Sequence, residues 1–165
     1  MKKEKPKIYV ETSVVSYLAS RPSRDYMVLA RQEMTREWWN VSRPNYDVFV
    51  SPLVESEAMA GDQEAAKRRM DIIRDIPGLI LSEFATDLAK FLIKSGAVPA
   101  VAKEDALHIA IAAVHGMDFL MTWNCTHIAN ATIRRKIIKE IEANGYECPI
   151  ICTPEELPQN PEGGI

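Results

Sequence analysis

Four acidic or amide positions stand in four separate segments of the 165-residue chain, each next to a short apolar run or a helix start. Glu11 directly follows Ile8-Tyr-Val10, Glu55 and Glu57 follow the β-prone stretch Tyr46 to Leu53, Asp105 opens an apolar helix, and Asn124 follows Phe119 to Thr122. Any one of them alone reads as a cap, because short polar side chains near helix starts satisfy free backbone donors. Together they suggest chemistry. Carboxylates packed close repel, so one takes up a proton unless a cation neutralises them. Oxygen ligands select Mg²⁺ or Mn²⁺, and Mg²⁺ typically keeps several waters beside a few carboxylates and a substrate phosphate. In phosphodiester cleavage such ions activate water and stabilise the leaving oxygen, so no side-chain nucleophile is needed.

Other polar residues cluster around these positions. His108 follows Asp105 by one helical turn on an otherwise apolar helix, which places both toward one polar pocket. It reads either as a core histidine bonded to a neighbouring strand or as a group supporting the site or its substrate. His127 and Asn130, just beyond Asn124, carry the same two readings at the rim. Thr12 and Ser13 are expected to cap the first helix, with a hydroxyl turned toward the site as a further role, and Thr122 joins them as a supporting hydroxyl. Basic residues group at Lys67-Arg-Arg69 with Arg74 and at Arg134-Arg-Lys136 with Lys139. Such groups are ordinarily solvated helix faces. If the carboxylates cleave a phosphodiester, one group must guide phosphate into an acidic cleft, and Arg134 and Arg135 are favoured because their helix follows Asn124.

The elements that must position these residues alternate between strand-like and helix-like patterns. Strands are expected at Ile8 to Val10, within Tyr46 to Leu53, at Leu79 to Leu81, Phe119 to Thr122 and Pro149 to Cys152. Between them the periodicity predicts helices around Val14 to Leu18, over Asp25 to Asn40, Glu55 to Ala60, Asp62 to Ile76, from Ser82 to near Gly96, over Lys103 to His115 and over Ala131 to Ala143, with a short capped turn at Thr153 to Glu156. Strands separated by helices imply an α/β fold, a central mainly parallel sheet of about five strands covered on both faces. Ligands then bind beyond the carboxyl ends of the strands. One domain is expected over residues 1–157, with 158–165 as a flexible tail. Trp38 and Trp39 are adjacent on a helix and cannot both enter one core, so one is a candidate partner contact.

In these segments the sequence resembles the PIN-domain nucleases. Ile8-Tyr-Val-Glu-Thr-Ser-Val14 is similar to the family's opening strand, which normally ends in Asp-Thr-Asn or Asp-Thr-Ser, with Glu11 in the aspartate's place. Glu57-Ala-Met-Ala-Gly61 matches the second acidic motif, Glu104-Asp-Ala-Leu-His-Ile-Ala110 the third, and Phe119-Leu-Met-Thr-Trp-Asn124 resembles the fourth, where Thr-x-Asp is common. The motifs span almost the whole chain in order. The resemblance implies a three-layer α/β/α fold and a VapC-like type II toxin ribonuclease. Its metal ligands would be Glu11, Glu57 and Asp105, with Asn124 completing the catalytic set, and the family spacing favours Glu57 over Glu55. It also implies an RNA substrate, a cognate antitoxin and a homodimer. Two departures bear on activity: Glu11 is one methylene longer than aspartate, and Asn124 offers only a carbonyl oxygen, which lowers affinity for a second ion.

Composition sets the outer limits. With 47% hydrophobic and 26% charged residues the chain is an ordinary globular sequence, without an apolar run able to span a bilayer. Glu11 interrupts the apolar segment behind the basic N-terminus after three residues, so no export signal is expected and the cytoplasm is the expected location. Three cysteines without dense spacing read as free thiols, and Cys148 and Cys152 lack a second pair for zinc. A net charge of −3 gives no global basic field, so a nucleic acid would be met by local patches. No Gly-x-Gly-x-x-Gly follows the first strand, which disfavours a dinucleotide-binding module, and no central Asp and Lys arrangement supports a receiver-like domain. The alternative to a nuclease is a noncatalytic PIN-like domain that binds nucleic acid or a partner through a weakened metal site.

Overall fold

A computed structural model describes residues 4–157. The expected tail 158–165 lies outside them. Four parallel strands form the central sheet in the order β2-β1-β3-β4, where β1 is Lys7–Val10, β2 Asp47–Phe49, β3 Phe119–Met121 and β4 Ile150–Cys152. The first strand is therefore interior. Tyr9 is paired with Phe49 on one side and Leu120 on the other, and Ile8, Tyr9 and Val10 have no exposed surface. A strand covered on both faces needs the continuous apolar run that β1 carries.

The sheet has four strands rather than about five. The segment Leu79 to Leu81 contributes no strand; pairing there stops at one bridge between Val50 and Gly78. Leu79 is buried, but Ile80 is 68% exposed, so the three apolar residues do not continue along the sheet edge. Pro77 still accepts from the Val50 N–H, and Val50 accepts from Leu79.

Among the described residues seven α-helices flank the sheet, α1 Thr12–Ala19, α2 Tyr26–Glu37, α3 Pro52–Ala58, α4 Gln63–Ile73, α5 Glu83–Lys94, α6 Lys103–Val114 and α7 Ala131–Ala143. Helices α1 to α4 pack among themselves on one side, while α5 packs on α6 and α7. This is the three-layer α/β/α arrangement. Their starts follow local chemistry: Asp25, Ser51, Asp62, Ser82 and Asn130 each cap a helix through a side-chain oxygen. Gly61 lies between α3 and α4 at φ 83°, a conformation a side chain would strain. Helix α6 has Ala106 and every residue from His108 to Ala113 buried, as an all-round apolar sequence requires.

The expected helix to Asn40 ends as α-helix at Glu37 and continues as a π-helical turn, Trp38–Ser42. That turn puts Trp38 in the core, against Tyr46, and leaves Trp39 half-buried beneath the Arg43 guanidinium, 4.5 Å from its centroid. No helix of the described residues is long and apolar enough to cross a membrane.

Candidate metal centre

Glu11 stands one residue beyond β1, its backbone N–H still donating to Met121 of β3 at 3.0 Å. This extends the sheet pairing by one step and fixes the side chain at the carboxyl end of the central strand. Its carboxylate caps α1. Oε1 accepts from the Ser13 N–H at 3.1 Å, and Oε2 accepts from the Ser13 hydroxyl and from Thr122 at 2.7 Å. Only 5% of Glu11 is exposed. These donors satisfy a carboxylate that little water reaches.

Glu57 approaches from α3. Its Oε1 accepts from Thr12 at 2.8 Å and lies 2.5 Å from His108 Nε2. Burial raises its proton affinity, but the bond to His108, the charge of His108 and the Thr12 hydroxyl outweigh that and hold the carboxyl below its ordinary range. Glu55 turns elsewhere: its Oε1 sits 3.9 Å from where a Cβ on Gly78 would be, toward the sheet edge.

His108, fully buried on α6, uses both ring nitrogens. An ionised carboxylate only accepts, so Nε2–H donates to Glu57. On the other side of the ring Nδ1 lies 2.7 Å from the Tyr9 hydroxyl, and Tyr9 in turn meets Ser51 at 2.7 Å. Burial, with the Glu11 and Glu57 charges behind it and against the Ser51 bond, pushes the Tyr9 phenol far above its usual value. The two readings of His108 coincide, since it is bonded to a strand and to a site carboxylate at once. Tyr9 and Ser51 were missed by sequence reasoning. The available signal was a hydroxyl inside the apolar run of β1.

Glu11, Glu57 and His108 form the one group of three such residues, among those described, whose donor atoms all lie within 4.8 Å of one another. Asp105 lies one turn before His108 on α6, more exposed, with Oδ2 3.0 Å from His127 Nδ1. Asn124 spends its amide oxygen on the N–H groups of Thr126 and His127, at 3.2 and 3.0 Å. Asn130 caps α7 and donates to the Thr126 carbonyl. Arg134 is half-buried with its Nε unpartnered, close enough to act on Cys152, whereas Arg135 is exposed on α7. The other basic group is largely structural. Arg68 donates to the Ala19 carbonyl and Arg69 to those of Ala58 and Ala60.

The donor set fits a hard divalent cation. Each carboxylate oxygen has about two acceptor positions. Glu11 Oε1 uses one, and Glu57 Oε2 has no hydrogen bond among the described residues. Two carboxyl groups therefore keep unused oxygen capacity side by side, which favours Mg²⁺ or Mn²⁺ over thiolate-seeking metals.

No protein-family model and no curated protein sequence matches the chain. Solved structures do. VapBC2 from Rickettsia felis, bound to a DNA fragment from its promoter, aligns with a TM-score of 0.57 at 13% identity, over 89% of this chain and 98% of that one. Mycobacterium tuberculosis VapC20, described as a sarcin-ricin loop cleaving toxin, aligns at 0.56 and 17% identity, over 84% and 95%. The chain has the PIN-domain fold of the VapC toxins. In this PIN fold the carboxyl end of β1, where Glu11 stands, carries the buried acidic and histidine cluster.

Proposed function

We propose that the protein is a Mg²⁺- or Mn²⁺-dependent endoribonuclease and the toxin of a type II toxin–antitoxin pair. The observation that carries this reading is the convergence of Glu11 and Glu57, from β1 and α3, on one buried group at the end of the central strand of a PIN fold. Glu11, Glu57 and Asp105 would hold the ion. When bound, such an ion activates water and offsets charge on the leaving oxygen. The chain's own residues prepare that place. Ser13 and Thr122 orient Glu11, while Thr12 and His108 fix Glu57. His127 orients Asp105 through Oδ2. The proposed partners are RNA, an antitoxin protein and a second copy of this chain, the last tested by sedimentation at high micromolar concentration.

The deciding experiment titrates Mn²⁺ into wild type and Glu57→Gln, then incubates both with single-stranded and structured RNA. Binding and cleavage by wild type, and loss of both in the variant, support the nuclease. The second reading, a noncatalytic domain that binds nucleic acid or a partner, is favoured by Glu11 Oε2 being satisfied by two hydroxyls and by Asn124 being committed to backbone donors. A wild type that folds and binds a partner yet takes up no Mn²⁺ would establish that reading instead.

A further inference from the structure

Arg31 lies on α2 with its guanidinium over the Trp123 indole, 5.3 Å from the ring centroid. Among the described residues it makes no hydrogen bond or ion pair through its side chain. Most other arginines are engaged. Arg21, Arg36 and Arg74 pair with Glu64, Glu33 and Asp71, and Arg68 and Arg69 donate to main-chain carbonyls. The other stacked guanidinium, Arg43 over Trp39, lines a cavity with Lys5 ahead of β1, at the opposite end of the strands.

Trp123 belongs to the carboxylate site. It directly follows Thr122, which donates to Glu11, and its own N–H donates to the Ser13 hydroxyl at 2.8 Å. Its ring is fixed from two helices: the indole N–H donates to Thr35 of α2 at 2.8 Å, and Tyr17 of α1 packs edge-on at 5.9 Å. A guanidinium resting on so immobile a ring loses little freedom when its unused donors are taken up. Those donors suit the paired oxygens of a phosphate.

We propose that Arg31 contacts a backbone phosphate of single-stranded RNA and holds the strand against the carboxylate cleft, an assignment that rests on the nuclease reading above. Arg31 supplies positive charge on Trp123, whose backbone and whose neighbour Thr122 hold the Glu11 surroundings, in a chain whose net charge is −3. The strand is thereby drawn to the cleft from the α2 side, as Trp123 links Arg31 to the residues that hold Glu11.

The test measures binding of a short fluorescent single-stranded RNA to the full chain by anisotropy in EDTA, across a salt titration. Removing one phosphate contact should lower the slope of log affinity against log salt by about 0.7. Arg31→Gln is expected to show that loss, together with weaker binding, at unchanged melting temperature. Arg31→Lys keeps the charge without the flat fork and should retain the slope while binding more weakly. Arg74→Gln, which removes a charge paired with Asp71, should match wild type. An Arg31→Gln variant with the wild-type slope overturns the assignment of Arg31 alone, whatever its affinity, because a packing effect would not alter the ion count. Wild type that binds no RNA in EDTA overturns this inference, while the Mn²⁺ titration and cleavage assay above decide the nuclease reading separately.

Discussion

Asp105 and Asn124 differ in how freely they can meet a ligand, and substitution should expose that difference. Asp105→Asn is nearly isosteric and keeps an oxygen for His127, so the fold should survive while cleavage is lost; circular dichroism and an RNA assay check both halves. Asn124→Asp keeps the oxygen that caps Thr126 and His127 and adds a charge, so it should tighten Mn²⁺ binding by calorimetry. An unchanged affinity would place Asn124 in the cap alone. Glu57 gives a pH signature. Its carboxyl is held below the ordinary value, so the unfolded chain takes up the proton first as pH falls. In EDTA, the stability lost in Glu57→Gln should be evident above about pH 4.3 and vanish as pH falls through the depressed value. A gap that widens in acid would contradict the His108 and Thr12 bonds. The thiols divide likewise. Burial, helped by the nearby charges of Glu142 and of Glu156, pushes Cys148 and Cys152 up to about 12, the latter against Arg134. Iodoacetamide near pH 8 should therefore label exposed Cys125 in the native protein and the other two only after unfolding, read by mass spectrometry.

At the scale of elements, the sequence was most legible where local chemistry decides the backbone. Helix α7 spans Ala131–Ala143 as its periodicity predicts, and α4 and α5 begin directly after Asp62 and Ser82, where the helical pattern starts. It was least legible where tertiary contacts decide. Leu79 to Leu81 has the composition of a strand, yet only Gly78 bridges, to Val50 just beyond β2, and the π-helical turn at Trp38–Ser42 has no periodic signature. The site divides in the same way. Glu11 could be found from its place after β1, but the Tyr9 and Ser51 links to His108 depend on which face of the sheet each side chain meets. Arg69 shows that a basic run can be a structural device. It closes the carbonyl end of α3, the helix that carries Glu57. Arg69→Ala should cost about 1–2 kcal/mol in urea unfolding and weaken Mn²⁺ binding modestly, because the helix end would fray. A stability loss without any change in Mn²⁺ affinity would separate that end of α3 from the site.

At the scale of the whole molecule, the sheet order places β1 between partners that come much later in the chain. β2 begins at Asp47 and β3 at Phe119, and the Thr122 hydroxyl that holds Glu11 lies 111 residues downstream of it. Contacts of such long range form late, because the intervening loop must close before they can stabilise anything. Synthesis runs from the N-terminus, so a nascent chain carries Glu11 and Glu57 long before Thr122 and Trp123 exist to complete their surroundings. Glu11 and β1 are then without β3 beside them. The hydrogen bonds that hold Glu11 therefore form only once residues through Trp123 have been made, so a chain cut short before Thr122 lacks one wall of the carboxylate group.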